Sequence, residues 1–375
     1  MSVSIQVHEP GRDLRDFLRT AHVVFAGDPA WVAPLDFMVK EQLSKKNPFF
    51  DHAEVTLFTA RKNGRLAGRI SAQIDQEHLR RHGDATGFFG FFDTIDDSEV
   101  AGALLDAAAA WLRQRGMKRM RGPFSLSINE ELGILVEGFE WPPMVMMSHS
   151  TRYQGRLVEG AGLVPVKDLL AWRYVVTDLP PRATRAWEQL RGYPEVRIRA
   201  LSRKRIDEEL ALVLDIQDDA WSDNWGHVSL TPAEVKKAAN DLKLVIDDDL
   251  TVLAEIEGEA AGMCIAVPNL NEVIRGLDGK LLPLGWAKLL WRLKVRRPRT
   301  ARLFLLGIKK KFRNVKRYGG LALAMIAEVA TRGRKKGIEW GELSWTLEDN
   351  APVNLAIKSM RGEHYKTYRI YERPL

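Results

Sequence analysis

The chain has 375 residues, and at about 100 to 200 residues a domain this length predicts two folded domains. Its composition, 45% hydrophobic and 28% charged, is typical of a globular protein and argues against disorder. The single cysteine, Cys264, excludes an internal disulfide and the cysteine-rich type of zinc site. The net charge of +7 comes from one segment, because fourteen Lys and Arg and no acidic residue lie between Lys280 and Arg317, and this argues against a nucleic-acid-binding surface spread over the molecule.

Two observations bear on where the protein works. Residues 1–18 contain no apolar core of the kind found in secretory signals, so the sequence predicts a cytoplasmic protein. The apolar runs, such as 107–112, fall short of the roughly 20 residues that a membrane-spanning helix needs. We therefore expect any contact with a bilayer to be peripheral.

The first half of the chain predicts helices around an antiparallel sheet. Alternating apolar and polar residues on both sides of Asn63-Gly64 are typical of a β-hairpin, because Asn-Gly favours the tight turn. Apolar residues at helical spacing before Gly116 predict a helix that packs on this sheet. The predicted elements are a helix at 11–26, strands at 55–61, 65–74 and 87–92, a helix at 98–115 and a strand at 118–128.

The second half repeats this order, with a junction predicted near Leu179-Pro180-Pro181. The stretch 122–128 also matches 341–347 at a glycine, a serine and three apolar positions, which indicates a duplication. The fold class is therefore mixed α/β of the α+β kind, with two domains, 1–180 and 181–375, each a mostly antiparallel sheet flanked by helices. The predicted elements of the second half are helices at 204–220, 231–242 and 320–332, and strands at 250–255, 261–267, 301–308 and 337–347.

The stretch 306–325 carries the most specific pattern, because it runs from an apolar strand into an apolar helix through a glycine turn. Glycines at a helix start let a ligand approach the backbone, and the unpaired first-turn N–H groups bind phosphate at the positive end of the helix dipole. The pattern predicts a diphosphate site; the alternative is a plain loop with a solvated basic face. Basic side chains able to add charge-assisted hydrogen bonds are Lys309, Lys310, Lys311, Arg313, Lys316 and Arg317.

This turn resembles the pyrophosphate loop of the GNAT acyltransferases, (Gln or Arg)-x-x-Gly-x-(Gly or Ala), at Arg317, Gly320 and Ala322. The resemblance implies tandem GNAT-like domains, acyl-CoA as co-substrate and no metal. It continues through 342–350, 354–362 and 365–371, which look like the last strand, helix and strand of a GNAT domain. The residues implied to contact CoA are Gly307, Ile308, Arg313, Arg317, Tyr318, Gly319, Gly320, Leu321, Ala322 and Asn350.

The first half resembles a GNAT domain only as a degenerate copy. Residues 93–98 stand at the position of the loop and read Asp-Thr-Ile-Asp-Asp-Ser, with acids where a phosphate site needs donors. We expect the first domain not to bind CoA.

Over its whole length the chain resembles the tandem-GNAT group that contains the bacterial ceramide synthases, through Trp31, 88–92, 220–226 and 365–371. This resemblance implies acyl transfer from long-chain acyl-CoA to the amine of 3-ketosphinganine or sphinganine. One departure concerns the leaving CoA. Many GNAT enzymes have a tyrosine four residues before the glycine of the last helix, whereas Lys358 precedes Gly362 here, so the sequence assigns no acid to the CoA thiolate.

Acyl transfer to an amine needs a group that accepts a proton from nitrogen. Glu342 is the first candidate for this base and lies on one face of the predicted strand with Ser344; the alternative is a structural carboxylate. His227 is the second candidate, although most lone histidines are not catalytic. Residues predicted to line the acceptor pocket, with a place in the core as the alternative for the tryptophans, are Trp221, Asn224, Trp225, Asn271, Ser344 and Trp345.

An insertion at about 270–300 combines Trp286 and Trp291 with several leucines, Lys288 and Arg292. A basic amphipathic stretch of this kind favours the interface of an anionic membrane, where each basic residue contributes about 1 kcal/mol. The alternative is a helix that covers the core of the second domain.

These observations together predict a peripheral, acyl-CoA-dependent N-acyltransferase of sphingolipid biosynthesis. Its partners are long-chain acyl-CoA, a sphingoid base and an anionic membrane surface, and no nucleic acid is expected. Two alternatives stay open: transfer to a small amine or amino acid, and a non-catalytic module that binds acyl-CoA or a membrane.

Overall fold

The computed structural model describes residues 2–241 and 246–375, and the chain folds into two compact units. The first unit consists of Met1–Leu169, Ile274–Leu289 and Lys366–Leu375, and the second of Leu170–Val273 and Leu290–Tyr365. The domains 1–180 and 181–375 stay a prediction. The units differ from them because the end of the chain adds a strand to the sheet of the first unit.

The sheet of the first unit has the strand order β1-β2-β3-β4-β5-β13, and β6 also pairs with β13. Neighbouring strands are antiparallel except β4 and β5, which are parallel. The strands are β1 Val3–His8, β2 Ala53–Lys62, β3 Arg65–Asp75, β4 Thr86–Thr94, β5 Arg119–Gly122, β6 Ile134–Glu137 and β13 Glu363–Pro374. The helices are α1 Arg15–Val24, α2 Asp36–Gln42, α3 Gln76–His82, α4 Ser98–Gln114 and α5 Gln154–Gly160.

The sheet of the second unit has the order β7-β12-β11-β10-β9-β8. Its second and third strands, β12 and β11, are parallel, and β10 pairs antiparallel with β11 and β9. The strands are β7 Val164–Val175, β8 Val196–Ala200, β9 Thr251–Ile256, β10 Glu259–Pro268, β11 Thr300–Ile308 and β12 Trp340–Leu347. The helices in the second half of the sequence are α6 Pro181–Arg191, α7 Ile206–Trp221, α8 Pro232–Asp241, α9 Leu270–Ile274, α10 Gly285–Trp291, α11 Lys310–Arg313, α12 Leu321–Lys335 and α13 Ala351–Ser359. Most of α10 belongs to the first unit.

One long helix carries the core in each unit. The buried residues of α4 follow one another at steps of three or four, which places them on a single face, and they belong to one hydrophobic cluster with the sheet. The helix α12 has the same role in the second unit, where it joins the cluster built on β9 and β10. The buried residues of α4 are Val100, Ala101, Leu104, Leu105, Ala108, Ala109 and Leu112.

In both units this helix connects two parallel strands along the chain, and the first of those strands contains a bulge. In β11, Phe304 has no partner on β10, because Leu303 pairs with Ala266 and Leu305 with Ile265. In β4 the register jumps in the same way between Gly90 and Asp93. The shared helix, parallel pair and bulge support the predicted duplication.

The short sequence match that suggested duplication is nevertheless offset by two residues. The glycines that end α4 and α12, Gly116 and Gly337, both have positive φ and correspond to each other. Parallel pairing then begins three residues later, at Arg119 and at Trp340. Aligned in this way, Gly122 corresponds to position 343 and not to 341.

Most predicted elements lie within a few residues of the structural ones, and the mixed α/β fold is confirmed. The strand predicted at 118–128 is shorter, because Pro123 has no N–H for the ladder and β5 ends at Gly122. Elements that were not predicted include the strands β1, β6, β7 and β8 and the helices α2, α3, α5 and α6. The predicted end of the helix 231–242 lies outside the described residues.

Candidate functional site

A gap opens in the second unit where two parallel strands part. The pairing of β11 with β12 runs from Thr300–Trp340 to Leu303–Leu343, whereas β11 continues to Ile308 and β12 to Leu347. The bulge at Phe304 lies at the point where pairing stops. Backbone groups beyond this point on the edge of β11 can bind an extended ligand. On β12, the carbonyl oxygen of Ser344 already accepts from Arg302 at 3.3 Å.

The helix α12 begins beside the end of β11 and has no side-chain cap. Its N-cap is Gly320, and no side chain accepts a hydrogen bond from its first turn. The N–H groups of Leu321 and Ala322 therefore keep their capacity to bind an anion. Gly320 also has a packing role, because a Cβ built there would lie 2.9 Å from Cβ of Ala186 on α6. The nearest atom to such a Cβ on Gly319 is 3.5 Å away.

Most of the predicted phosphate-binding side chains are already paired with carboxylates. Arg317 donates to Glu195 at 2.6 Å and lies over the ring of Tyr193. The hydrogen bond from Arg317 lowers the pKa of Glu195. The other ion pairs are Lys309–Asp215 at 2.5 Å, Lys310–Asp223 at 2.6 Å and Lys311–Glu259.

Three other predicted CoA contacts have structural roles in the absence of a ligand. Arg313 donates to the carbonyl oxygens of Ile308, at 2.7 Å, and of Ala220. Gly307 packs closely on α7, since a Cβ built there would lie 3.2 Å from Cβ of Ala220. Asn350 caps α13 by accepting from the N–H of Val353.

A cavity of about 290 Å³ lies next to this loop. Phe312 and Tyr318 contribute aromatic walls, with ring centroids 6.3 Å apart. Lys311 and two acids lie at its edge. The full lining is Ile256, Glu257, Glu259, Lys311, Phe312, Val315 and Tyr318.

Glu342 lies on β12 immediately before the gap and is fully buried. Its Oε1 accepts from Oγ of Ser344 at 2.5 Å, and its Oε2 accepts from the hydroxyl of Tyr365. Arg302, its partner in the parallel ladder, is 3% exposed and lies 3.9 Å from Oε1. Arg302 also donates to Oγ of Ser344 at 2.9 Å. The predicted base is thus the centre of a buried polar cluster.

Sequence reasoning missed two members of this cluster, Arg302 and Tyr365. Arg302 had a signal, because it is the one charged residue in the strand 301–308 and its register partner is the acid Glu342. Tyr365 had no such signal. Three tyrosines lie at intervals of three residues along the last strand, and the sequence does not show which of them reaches another strand.

The remaining candidates lie on two other elements of the second unit. His227 is buried, with Nε2 3.9 Å from Oδ1 of Asp218, and follows α7 in a turn with Trp221, Asn224 and Trp225. Asn271 lies on α9, and its N–H donates to Oδ1 of Asn269. Trp345 is half-buried on β12 beside Ser344. His227 therefore faces Asp218, whereas Glu342 faces Arg302.

Two relatives match nearly the whole chain. It is 45% identical over 367 residues to a protein of Caulobacter vibrioides named bacterial ceramide synthase, with 97% of this chain and 95% of that protein covered. It is 39% identical over 365 residues to protein YghO of Escherichia coli, with 97% and 93% covered. The chain belongs to the bacterial ceramide synthase family.

Solved structures support the GNAT fold of this ceramide synthase family member. A tandem GNAT protein from the clavulanic acid biosynthesis pathway has a TM-score of 0.59, with 100% of this chain and 98% of that chain covered at 10% identity. No family model matches. The predicted resemblance, the GNAT fold and the class of acyl-CoA-dependent N-acyltransferase are confirmed.

The first unit of this family member lacks the gap that opens in the second. The N–H of Phe124 donates to O of Phe89 at 2.7 Å, so the chain beyond β5 stays bonded to β4. Gly90 leaves no room for a ligand either, because a Cβ built there would lie 1.8 Å from O of Phe124. The N–H groups at the start of α4 are also occupied, since Asp97 accepts from those of Glu99 and Val100.

The insertion presents large apolar side chains to solvent. Trp286 is 52% exposed and Trp291 54% exposed, and basic residues alternate with them along α10 and the turn that follows. In the described part of the chain, no helix has the length and apolar character that crossing a membrane requires. The exposed apolar residues of the segment 281–297 are Leu282, Leu284, Trp286, Leu290, Trp291 and Val295.

Proposed function

We propose that this member of the ceramide synthase family transfers a long-chain acyl group from acyl-CoA to the amine of a sphingoid base, 3-ketosphinganine or sphinganine. The observation that carries the proposal is that the second unit combines parting parallel strands with an uncapped helix start. A relative 45% identical over nearly the full length, which is named a ceramide synthase, supports the choice of acceptor. The first unit, with its closed strands and capped helix, supports a single acyl-CoA site in the molecule.

The diphosphate of CoA would lie at the start of α12. The N–H groups of Leu321 and Ala322 and the side chain of Arg317 suit its oxygens, because they combine backbone donors with a fixed charge. CoA would then replace Glu195 as the partner of Arg317. The pantetheine arm, which carries amide groups, fits the edge of β11 beyond Leu303.

Glu342 is the proposed base. It stands where β11 and β12 part, which is the end of the gap where a thioester entering along the strands would be held. Its burial beside Arg302 fixes its position, as a group that finally accepts the proton of a reacting nitrogen requires. His227, also buried, is the second candidate.

The membrane would deliver the acceptor. Six exposed apolar residues and a run of Lys and Arg without acids give the segment 281–297 the composition of an interfacial helix on anionic lipid. A sphingoid base resides in a bilayer because of its long alkyl chain, so we propose that this segment docks the enzyme on the membrane surface.

An assay of thiol release tests the proposal. The purified protein is combined with acyl-CoAs of 2 to 18 carbons and with sphinganine, 3-ketosphinganine or a small amine, and the products are identified by mass spectrometry. We expect thiol release that requires a sphingoid base and yields its N-acyl product. Turnover with small amines alone would show that the acceptor is a small amine and not a sphingoid base. CoA binding without any turnover would indicate a non-catalytic binding module.

A further inference from the structure

The carboxylate of Glu342 cannot meet a substrate directly. The side chain is 0% exposed, and each oxygen already accepts a hydrogen bond, one from Ser344 and one from Tyr365. These two hydroxyl groups are therefore the routes that the structure offers for a proton to reach Glu342.

The two hydroxyl groups bonded to Glu342 differ in their exposure to solvent. Ser344 is 7% exposed and its Oγ is held by Arg302, which is itself 3% exposed. Tyr365 is only half-buried, so it alone of the residues bonded to Glu342 reaches toward solvent. The ring of Trp340 lies edge-on to that of Tyr365, with centroids 6.2 Å apart, and holds it in place.

We propose that Tyr365 relays the proton between the acceptor amine and Glu342. This inference rests on the proposed function, and it assigns the catalytic contact to Tyr365 and a supporting role to Glu342. The phenol donates to Oε2 of Glu342, so its oxygen is oriented with lone pairs away from the carboxylate.

The step balances without a further reactant. The amine nitrogen forms a bond to the thioester carbonyl carbon, and the carbon–sulfur bond breaks with its electron pair on sulfur. The nitrogen loses one proton to the phenol oxygen of Tyr365 while the phenol proton moves to Oε2 of Glu342. That proton then returns by the same path to solvent or to the CoA thiolate, which leaves as a thiol.

The test compares variants of the full chain. Tyr365→Phe keeps the ring and removes the hydroxyl, so kcat should fall about 10²-fold or more while the affinity for CoA, measured by calorimetric titration, stays unchanged. Part of the rate should return at high pH, where the acceptor amine loses its proton to solvent. Glu342→Gln should give a loss of similar size, and the double variant should be no slower than the slower single variant, because the two groups act as a unit.

Tyr174→Phe is the matched control. Tyr174 also belongs to the second unit, and its buried hydroxyl has no hydrogen-bond partner in the described residues, so kcat should not change. A Tyr365→Phe enzyme with the wild-type kcat, or losses that add in the double variant, would overturn the relay. A wild-type protein without turnover on any amine would overturn the proposed function and the relay with it.

Discussion

At the proposed phosphate loop, most of the charged side chains have carboxylate partners. The sequence predicted a cluster of free cations, but a carboxylate stands next to most of them, as Glu195 does next to Arg317. These acids come from α7, from the turn that follows it, from the hairpin of β9 and β10 and from the segment before β8, far from the loop in sequence. No local pattern could have shown that they converge on it.

This arrangement gives a prediction for CoA affinity. Arg317→Glu should weaken CoA binding about tenfold or more, because it replaces a charge-assisted donor with a group that repels phosphate. Glu195→Gln should strengthen binding, since it removes the carboxylate that competes for Arg317. Calorimetric titration with CoA measures both.

Asp96→Lys, at the equivalent loop of the first unit, is the control and should leave the CoA affinity unchanged. Equal losses at Arg317→Glu and Asp96→Lys would show that the first unit takes part in binding.

Among the helices, α4 and α12 have the same place in their units but differ at their first turn. Asp97 closes the N-terminus of α4, whereas Gly320 leaves that of α12 open. The sequence predicted both helices from their apolar spacing. It also predicted that their first turns differ, because acids before α4 and glycines before α12 are visible without a structure.

The cap of α4 predicts a measurable stability. Asp97→Ala should lower the free energy of unfolding by about 1 kcal/mol, because two N–H groups lose their acceptor. The hydrogen bond from Lys62 lowers the pKa of Asp97 in the folded protein. The stability difference should therefore be complete above about pH 4, the unfolded pKa, and disappear as the pH falls through the lower folded pKa.

Urea unfolding of both proteins at several pH values measures this difference. Asp96→Ala is the matched control, because the exposed Asp96 pairs only with the exposed Arg156 and should contribute little. An Asp97→Ala protein as stable as the wild type at pH 7 would contradict the capping role.

The exposed segment around α10 predicts a difference between substrates. Trp286→Ser with Trp291→Ser should reduce binding to anionic vesicles and turnover of a sphingoid base within them, and should spare turnover of a short, water-soluble amine analogue. Vesicle binding by the wild type should also decrease steeply with salt, since exposed charges are screened within about 10 Å at 0.1 M ionic strength.

Leu355→Ser is the control for the loss of surface hydrophobicity, because Leu355 is also apolar and is 64% exposed. Equal losses of turnover on both substrates would indicate that the tryptophans line a pocket. Vesicle binding that fails at low salt would count against docking on a membrane.

Across the whole molecule, sequence patterns predicted two similar halves but not how the chain is shared between them. Local spacing determines helices and hairpins, and those agree with the structure. The pairing of β13 with β5 and β6 joins residues that are more than 200 positions apart, as in Tyr371 opposite Gly122. The last strand alternates like any other, so its sequence does not say which sheet it enters.

This topology predicts that the first half is not an independent fragment. A protein of residues 1–180 lacks β13, which leaves β5 and β6 without their partner strand. We expect it to show broad, weakly cooperative urea unfolding. The same fragment with residues 362–375 appended through a flexible linker should unfold cooperatively. A cooperative transition in the unextended fragment would show that β13 is dispensable.

The return of β13 also orders events during protein synthesis. A ribosome makes every residue of the second unit before it reaches the strand that completes the first. The nascent first unit must therefore wait, with the edges of β5 and β6 unpaired, for most of the translation time of the chain. We expect this half not to complete its fold until the end of the chain is made, so chaperones that shield open strand edges have their longest opportunity on the half that is synthesised first.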